Sequence, residues 1–167
     1  MTRELAAQIP RDRSELALAD KKPLYLAAEA RAEAERCLYC ADAPCIQACP
    51  TEIEIPTFIK QIATGNVDGS AKTIFDQNML GYSCARVCPV EVLCVGACVY
   101  NGWNKEPIQI GRLQRFATET HADSVKQGKK KPLYVAKKNA NPKKIAFVGA
   151  GPASLACAAT LALEGHA

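Results

Sequence analysis

Several things this sequence does not contain narrow its function before any motif is read. No apolar leader follows the first residues, Met1-Thr2-Arg3-Glu4-Leu5, so a secretory signal is not expected. No apolar run approaches the roughly 20 residues that a membrane span requires. Histidine is scarce, and His121 and His166 have no companions at ligand spacing, so each reads as an ordinary surface or packing residue. Eight lysines (126, 129, 130, 131, 137, 138, 143 and 144) occur with no acid among them, and without them the net charge of +4 becomes −4. No aromatic stacking platform accompanies this basic run, which argues against a nucleic-acid interface and favours a solvated linker. No acid–base pair or activated nucleophile stands out either. Together these absences point to a cytoplasmic globular chain with neither a membrane nor a nucleic-acid partner.

What the chain has in excess is cysteine, nine in 167 residues. In a reducing compartment thiols at this density are better read as metal ligands than as disulfides. Four lie in Cys37-Leu38-Tyr39-Cys40-Ala41-Asp42-Ala43-Pro44-Cys45-Ile46-Gln47-Ala48-Cys49-Pro50, spaced C-x2-C-x4-C-x3-C-P. That is the bacterial ferredoxin run with its middle gap widened by two residues. In that run the first three thiolates hold one iron–sulfur cluster, and the fourth, before the proline, is given to another. The second group, Cys84, Cys88-Pro89, Cys94 and Cys98, brings the number of thiols to eight, enough by arithmetic for two four-thiolate clusters. Structural zinc favours self-contained C-x2-C clips, and the splayed Cys-Pro positions argue against it. Cys157 lies apart in an apolar helical stretch and reads as packing.

Around these groups the patterning is helical. Leu24 to Arg36 is alanine-rich with high helix propensity. Ile55, Phe58, Ile59 and Ile62 fall at i, i+3, i+4 and i+7, with Pro56 near the start and Gly65 as terminator. Ser70 to Asn78 and Ile110 to about Val125 give two further amphipathic helices, and Tyr100 to Pro107 reads as a turn. Past the lysines, Lys144-Ile145-Ala146-Phe147-Val148 predicts a short strand, and Leu155 to Leu163 an apolar helix. Between them lies Gly149-Ala150-Gly151-Pro152-Ala153-Ser154, a dinucleotide-binding turn in which Ser154 takes the third small position. Its backbone, at Gly149, Gly151, Pro152, Ala153 and Ser154, would face a cofactor pyrophosphate at a helix N-terminus. The acidic residue expected about 20 positions further on is absent, so this reads as the truncated first β-α unit of a longer flavin or nicotinamide enzyme. The expected fold is mainly α, in three parts: a helical iron–sulfur domain over 1–125, a Lys-rich linker over 126–143, and the start of an FAD/NAD(P)-binding domain over 144–167.

Four stretches in this order, Arg36 to Cys45, Cys88 to Cys98, Pro107 to Glu119 and Gly149 to Ser154, resemble dihydropyrimidine dehydrogenase, at its N-terminal iron–sulfur domain and the start of its flavin domain. The likeness covers roughly residues 24–167 and extends more distantly to the glutamate synthase small subunit. It implies that Cys37, Cys40, Cys45 and Cys98 ligate one [4Fe–4S] cluster. It gives Cys49, Cys88, Cys94 and the side chain of Gln114 to the other, where counting thiols would have used Cys84. It further implies electron flow from NAD(P)H through FAD and both clusters to an FMN site on a partner subunit or domain, which reduces uracil or thymine to the 5,6-dihydro form. The alternatives are a glutamate synthase small-subunit-type electron-input module and, in another class, a zinc-stabilised interaction domain.

Overall fold

The computed structural model describes residues 20–167. Among them there are eight α-helices: α1 (Ala27–Glu35), α2 (Pro44–Gln47), α3 (Ile55–Ala63), α4 (Val67–Gln77), α5 (Gly81–Val87), α6 (Val99–Gly102), α7 (Ile110–Lys126) and α8 (Pro152–Leu163). A 3₁₀ turn at Val90–Val92 follows α5. No strand forms among the described residues.

Helix α7 is the axis of the cluster domain and packs against α1, α3, α4 and α5. Its apolar stripe, Ile110, Leu113, Phe116 and Ala117, meets Phe58, Ile59 and Ile62 of α3 and Ile74 of α4 in one core. Phe58 and Leu113 are fully enclosed; burying side chains of this size contributes about 1.5–3 kcal/mol each. Helix α4 starts earlier than the apolar pattern indicated because Asn66 caps it, its side chain accepting from Gly69 N–H at 2.9 Å. Gly65, with φ of +80°, ends the turn after α3 in a conformation that glycine adopts without strain.

Of the clustered cysteines, Cys45 lies on α2 and Cys84 on α5. One sequence expectation in this region changes. The turn expected at Tyr100–Pro107 begins with the single helical turn α6, because the local i→i+3 bonds of Asn101 and Trp103 close there. Lys126 ends α7, and of the residues that follow it Pro132, Leu133 and Tyr134 lie over Phe75, Met79, His121 and Val125. Tyr134 Oη donates to Asp76 at 2.6 Å and Lys130 Nζ to Asp68 at 2.5 Å, fastening this segment across α4 and α7.

The C-terminal segment differs most. Lys144–Val148 is exposed and is not a strand. A strand needs a neighbour for its N–H and C=O groups, and among the described residues one supplies it: Ala167 N–H donates to Lys143 O (2.9 Å) and Ile145 N–H to Ala167 O (2.7 Å). Alternating bonds on either side of Lys144 are the pairing of parallel strands, one rung long. Helix α8 has no buried residue, and Leu155 is half exposed. Cys157, expected to be packed, is exposed for the same reason: none of the described residues covers that face of the helix. The turn before α8 does form, with Gly149 at φ +97° and Gly151 as the N-cap.

Candidate metal centre

The eight clustered cysteines, distant in sequence, come together in two cavities that share a wall. The first is lined by Cys37, Cys40, Cys45 and Cys98, closed by Leu38, Pro44, Ile59, Tyr100 and Ile108. The second is lined by Cys49, Cys84, Cys88, Cys94 and Gln114, with Ile53, Val90 and Leu93. Ile55, itself buried, faces both.

The geometry of the first cavity has local causes. Tyr39, between Cys37 and Cys40, takes φ of +52°, a left-handed conformation uncommon for a bulky residue. It is held there by its hydroxyl on Ala34 O (3.1 Å) and by Lys60 Nζ 4.9 Å from its ring centroid. The reversal lets both flanking thiols face one space. Cys98 arrives from 53 residues beyond Cys45 because Tyr100 Oη donates to Arg36 O at 2.8 Å, tying the residue before Cys37 to the residue two after Cys98. Glu33 then accepts from Gln109 N–H (2.8 Å) and Arg36 donates to Glu106 O (2.6 Å), so the start of α7 is anchored to the end of α1.

In the second cavity the Val90–Val92 turn brings Cys88 and Cys94 back together, Val90 O accepting from Leu93, Val95 and Gly96 N–H. Gln114 is 6% exposed, so it is not a solvent-facing helix residue. Its Nε2 donates to Gly81 O at 3.0 Å. Its amide oxygen is not engaged by the Gly81 bond, and the residue lines the cavity. Cys84 lines the same cavity, one helical turn before Cys88.

The electrostatics suit metal. Burial, and then the neighbouring Cys37, pushes the Cys45 thiol up to about 11. Burial followed by Cys88 and Cys49 pushes Cys94 up to about 12. Cys88 rises to about 11 by burial and by its neighbour Cys84. Thiols so disfavoured as free thiolates require a compensating cation to ionise, which is what metal binding supplies. Among the described residues no three thiol, imidazole or carboxylate groups converge tightly enough for one ion. No disulfide joins any described cysteine.

The dinucleotide turn stands apart from both cavities, and a Cβ at Gly149 or Gly151 would meet nothing within 4 Å. The residues that sequence reasoning missed are Tyr39, Ile55 and Tyr100. Each acts through tertiary placement: the apolar spacing marks Ile55 as a helix-face residue but not as the wall between two cavities, and no local pattern marks Tyr39 or Tyr100.

Residues 15–126 match the family profile described as dihydropyrimidine dehydrogenase domain II, 4Fe-4S cluster. The chain is 42% identical over 147 residues to the NAD-dependent dihydropyrimidine dehydrogenase subunit PreT of Escherichia coli K12, covering 86% of this chain and 33% of the relative. It is 44% identical over 134 residues to the PreT subunit of Salmonella typhimurium LT2, covering 80% of this chain and 31% of that one. The chain thus spans about a third of the length of these curated relatives. With eight thiols gathered around two adjoining cavities and a family match over most of its length, the chain belongs to the dihydropyrimidine dehydrogenase domain II 4Fe-4S cluster family.

Proposed function

We propose that this chain is the electron-relay part of an NAD(P)-dependent dihydropyrimidine dehydrogenase, with two [4Fe–4S] clusters side by side. Cys37, Cys40, Cys45 and Cys98 hold one; Cys49, Cys88, Cys94 and Gln114 hold the other. Bound clusters supply one-electron carriers between flavins that exchange electrons in pairs. The chain's residues do the rest: they present seven thiolates and one amide, exclude water with an apolar lining, and keep the two sites one side chain apart at Ile55. The observation that carries this reading is the pair of cavities, each lined by the four donors that the resemblance assigns to one cluster.

The Gly149–Ser154 turn supports an FAD site opened here and completed by further flavoprotein sequence. Its open backbone and positive-φ Gly149 suit the pyrophosphate, and the rung between Lys144 and Ala167 has the parallel register of a β-α-β unit. Electrons would leave for an FMN-containing subunit or domain that reduces uracil or thymine. No helix among the described residues is long and apolar enough to cross a membrane, and free thiols suit a cytoplasmic setting.

Anaerobic purification of the full chain tests the metal: about eight iron and eight sulfide are expected, and a colourless zinc protein would refute it. Gln114→Leu is expected to change the spectrum of one cluster while Cys84→Ser retains full iron; the reverse result would give the fourth position to Cys84. Oxidation of NADH by the complete protein with its partner on adding uracil supports the pyrimidine enzyme. Oxidation on adding 2-oxoglutarate and glutamine instead would assign the chain to the glutamate synthase type.

A further inference from the structure

Outside the two cavities one cation is placed with unusual care. Lys22 is only 5% exposed, although lysine is almost never buried unless paired. No carboxylate lies within ion-pair distance of its ammonium among the described residues: Asp20 is taken by Arg115, and Glu91 by Lys21 at 3.2 Å. The Lys22 Nζ instead donates to the backbone carbonyl of Cys88 at 2.5 Å.

The surroundings fix it there. Lys22 N–H donates to Asp20 (3.0 Å), and Arg115, next to Gln114 on α7, donates to Lys22 O (2.6 Å). The aliphatic stem crosses α7 at Gly111, where an added Cβ would lie 3.3 and 3.4 Å from Lys22 Cδ and Cε. The helix therefore has its one internal glycine where the lysine passes. A buried ammonium needs negative charge or good acceptors nearby; Glu91, already paired with Lys21, is close enough to feel the Lys22 charge, and the ammonium's own hydrogen bond among the described residues goes to Cys88, which lines the second cavity.

We propose that Lys22 is a positioning residue for electron transfer: its fixed charge, delivered at the Cys88 carbonyl, offsets the negative charge of the second cluster and raises that cluster's reduction potential. This rests on the two-cluster reading above. Three thiolates and a neutral amide around a [4Fe–4S]²⁺ core carry net −1, and the added electron makes it −2. A nearby cation stabilises the reduced form more than the oxidised form. Lys22 would thus ease arrival of each electron at this cluster relative to its neighbour, whose nearby cations Arg36 and Lys60 are directed to Glu33, Glu106 O and the Tyr39 ring.

The test is an anaerobic redox titration followed by electron paramagnetic resonance on the full chain, with iron and sulfide counted first. A wild-type content near four iron refutes the two-cluster reading independently of Lys22. With both clusters present, Lys22→Met is expected to lower the reduced-to-oxidised ratio at fixed poise by about tenfold or more, a shift of about 59 mV for a one-electron couple. The change should fall on the signal that also responds to Gln114→Leu, and Lys22→Arg should restore it. Lys22→Gln, which keeps a donor for Cys88 O without the charge, is expected to behave like Lys22→Met. Unchanged potentials with full iron in either neutral variant overturn the proposal. Loss of iron from the neutral variants and Lys22→Arg alike also overturns it, because packing would then be the residue's role; loss from the neutral variants alone supports the need for the charge.

Discussion

Gly96 sits between Cys94 and Cys98, two thiols assigned to different clusters, and its replacement by alanine is the sharpest test of how these loops are built. A Cβ at Gly96 would lie 2.3 Å from the backbone oxygen of Glu91 and 3.1 Å from its carbonyl carbon. No side-chain rotation relieves a clash with backbone, so the Val90–Val92 turn must open by several tenths of an ångström. That turn has little slack. Val90 O accepts from Val95 N–H at 2.9 Å and Gly96 N–H at 3.2 Å, and Asn101 Nδ2 holds Val95 O and Gly96 O at 2.8 and 2.9 Å. Overpacking strain of about 1–3 kcal/mol, with one weakened hydrogen bond at about 0.5–1.5 kcal/mol, gives a destabilisation of about 2–4 kcal/mol. For a domain of this size each kcal/mol is roughly 4–8 °C in melting temperature. Anaerobic thermal melts and iron counts on Gly96→Ala read the effect, and both clusters should lose iron because Cys94 and Cys98 move together. Gly102→Ala is the control: it lies in α6, and a Cβ there meets nothing within 4 Å, so no loss is expected. A Gly96→Ala protein that melts within a degree of wild type with full iron would refute the reasoning.

Two further outcomes follow from the core and from the segment laid across α4 and α7. Phe58 is fully buried where α3 meets α7, so Phe58→Ala should cost about 3–5 kcal/mol, read by denaturant unfolding of the loaded protein; a loss below about 1 kcal/mol would mean that this core is not the one that holds the domain. Lys72, and then Tyr134, holds the Asp76 carboxyl below the usual range, and Lys130, and then His121, does the same for Asp68. Carboxyls depressed in the fold stabilise it above their ordinary pKa, and that contribution is lost as pH falls through the depressed values. The 130–134 segment should therefore loosen below about pH 4, seen as faster amide hydrogen exchange there while α7 stays protected. Exchange in 130–134 that does not change with acid would refute the tie.

Much of the cluster domain was legible because its signals are local. The i, i+3, i+4, i+7 spacing of Ile55, Phe58, Ile59 and Ile62 needs one buried face, and α3 forms where it lies. The Ile110–Val125 helix forms too, one residue longer. Cysteine spacing announced metal because short gaps can hold thiols around one centre wherever the rest of the chain goes. The strand at Lys144–Val148 failed for the opposite reason. Its hydrogen bonds must come from other strands, and of the described residues Ala167 alone supplies them.

Sequence alone could therefore determine that this chain is helical and built around thiol ligands, since helix periodicity and ligand spacing are written over a few residues. No local pattern divides the donors, a division that only the family resemblance implied; the tertiary structure lays them around two cavities. It lodges Gln114 on the wall of the second, with its nitrogen turned to Gly81 O. It brings Cys98 to Cys37 through the Tyr100–Arg36 bond. It also carries Lys22 past Gly111 to the carbonyl of Cys88. The three hydrogen bonds among these contacts join residues 33 to 66 positions apart. At such separations the chain's path through space, rather than any local pattern, decides which groups meet.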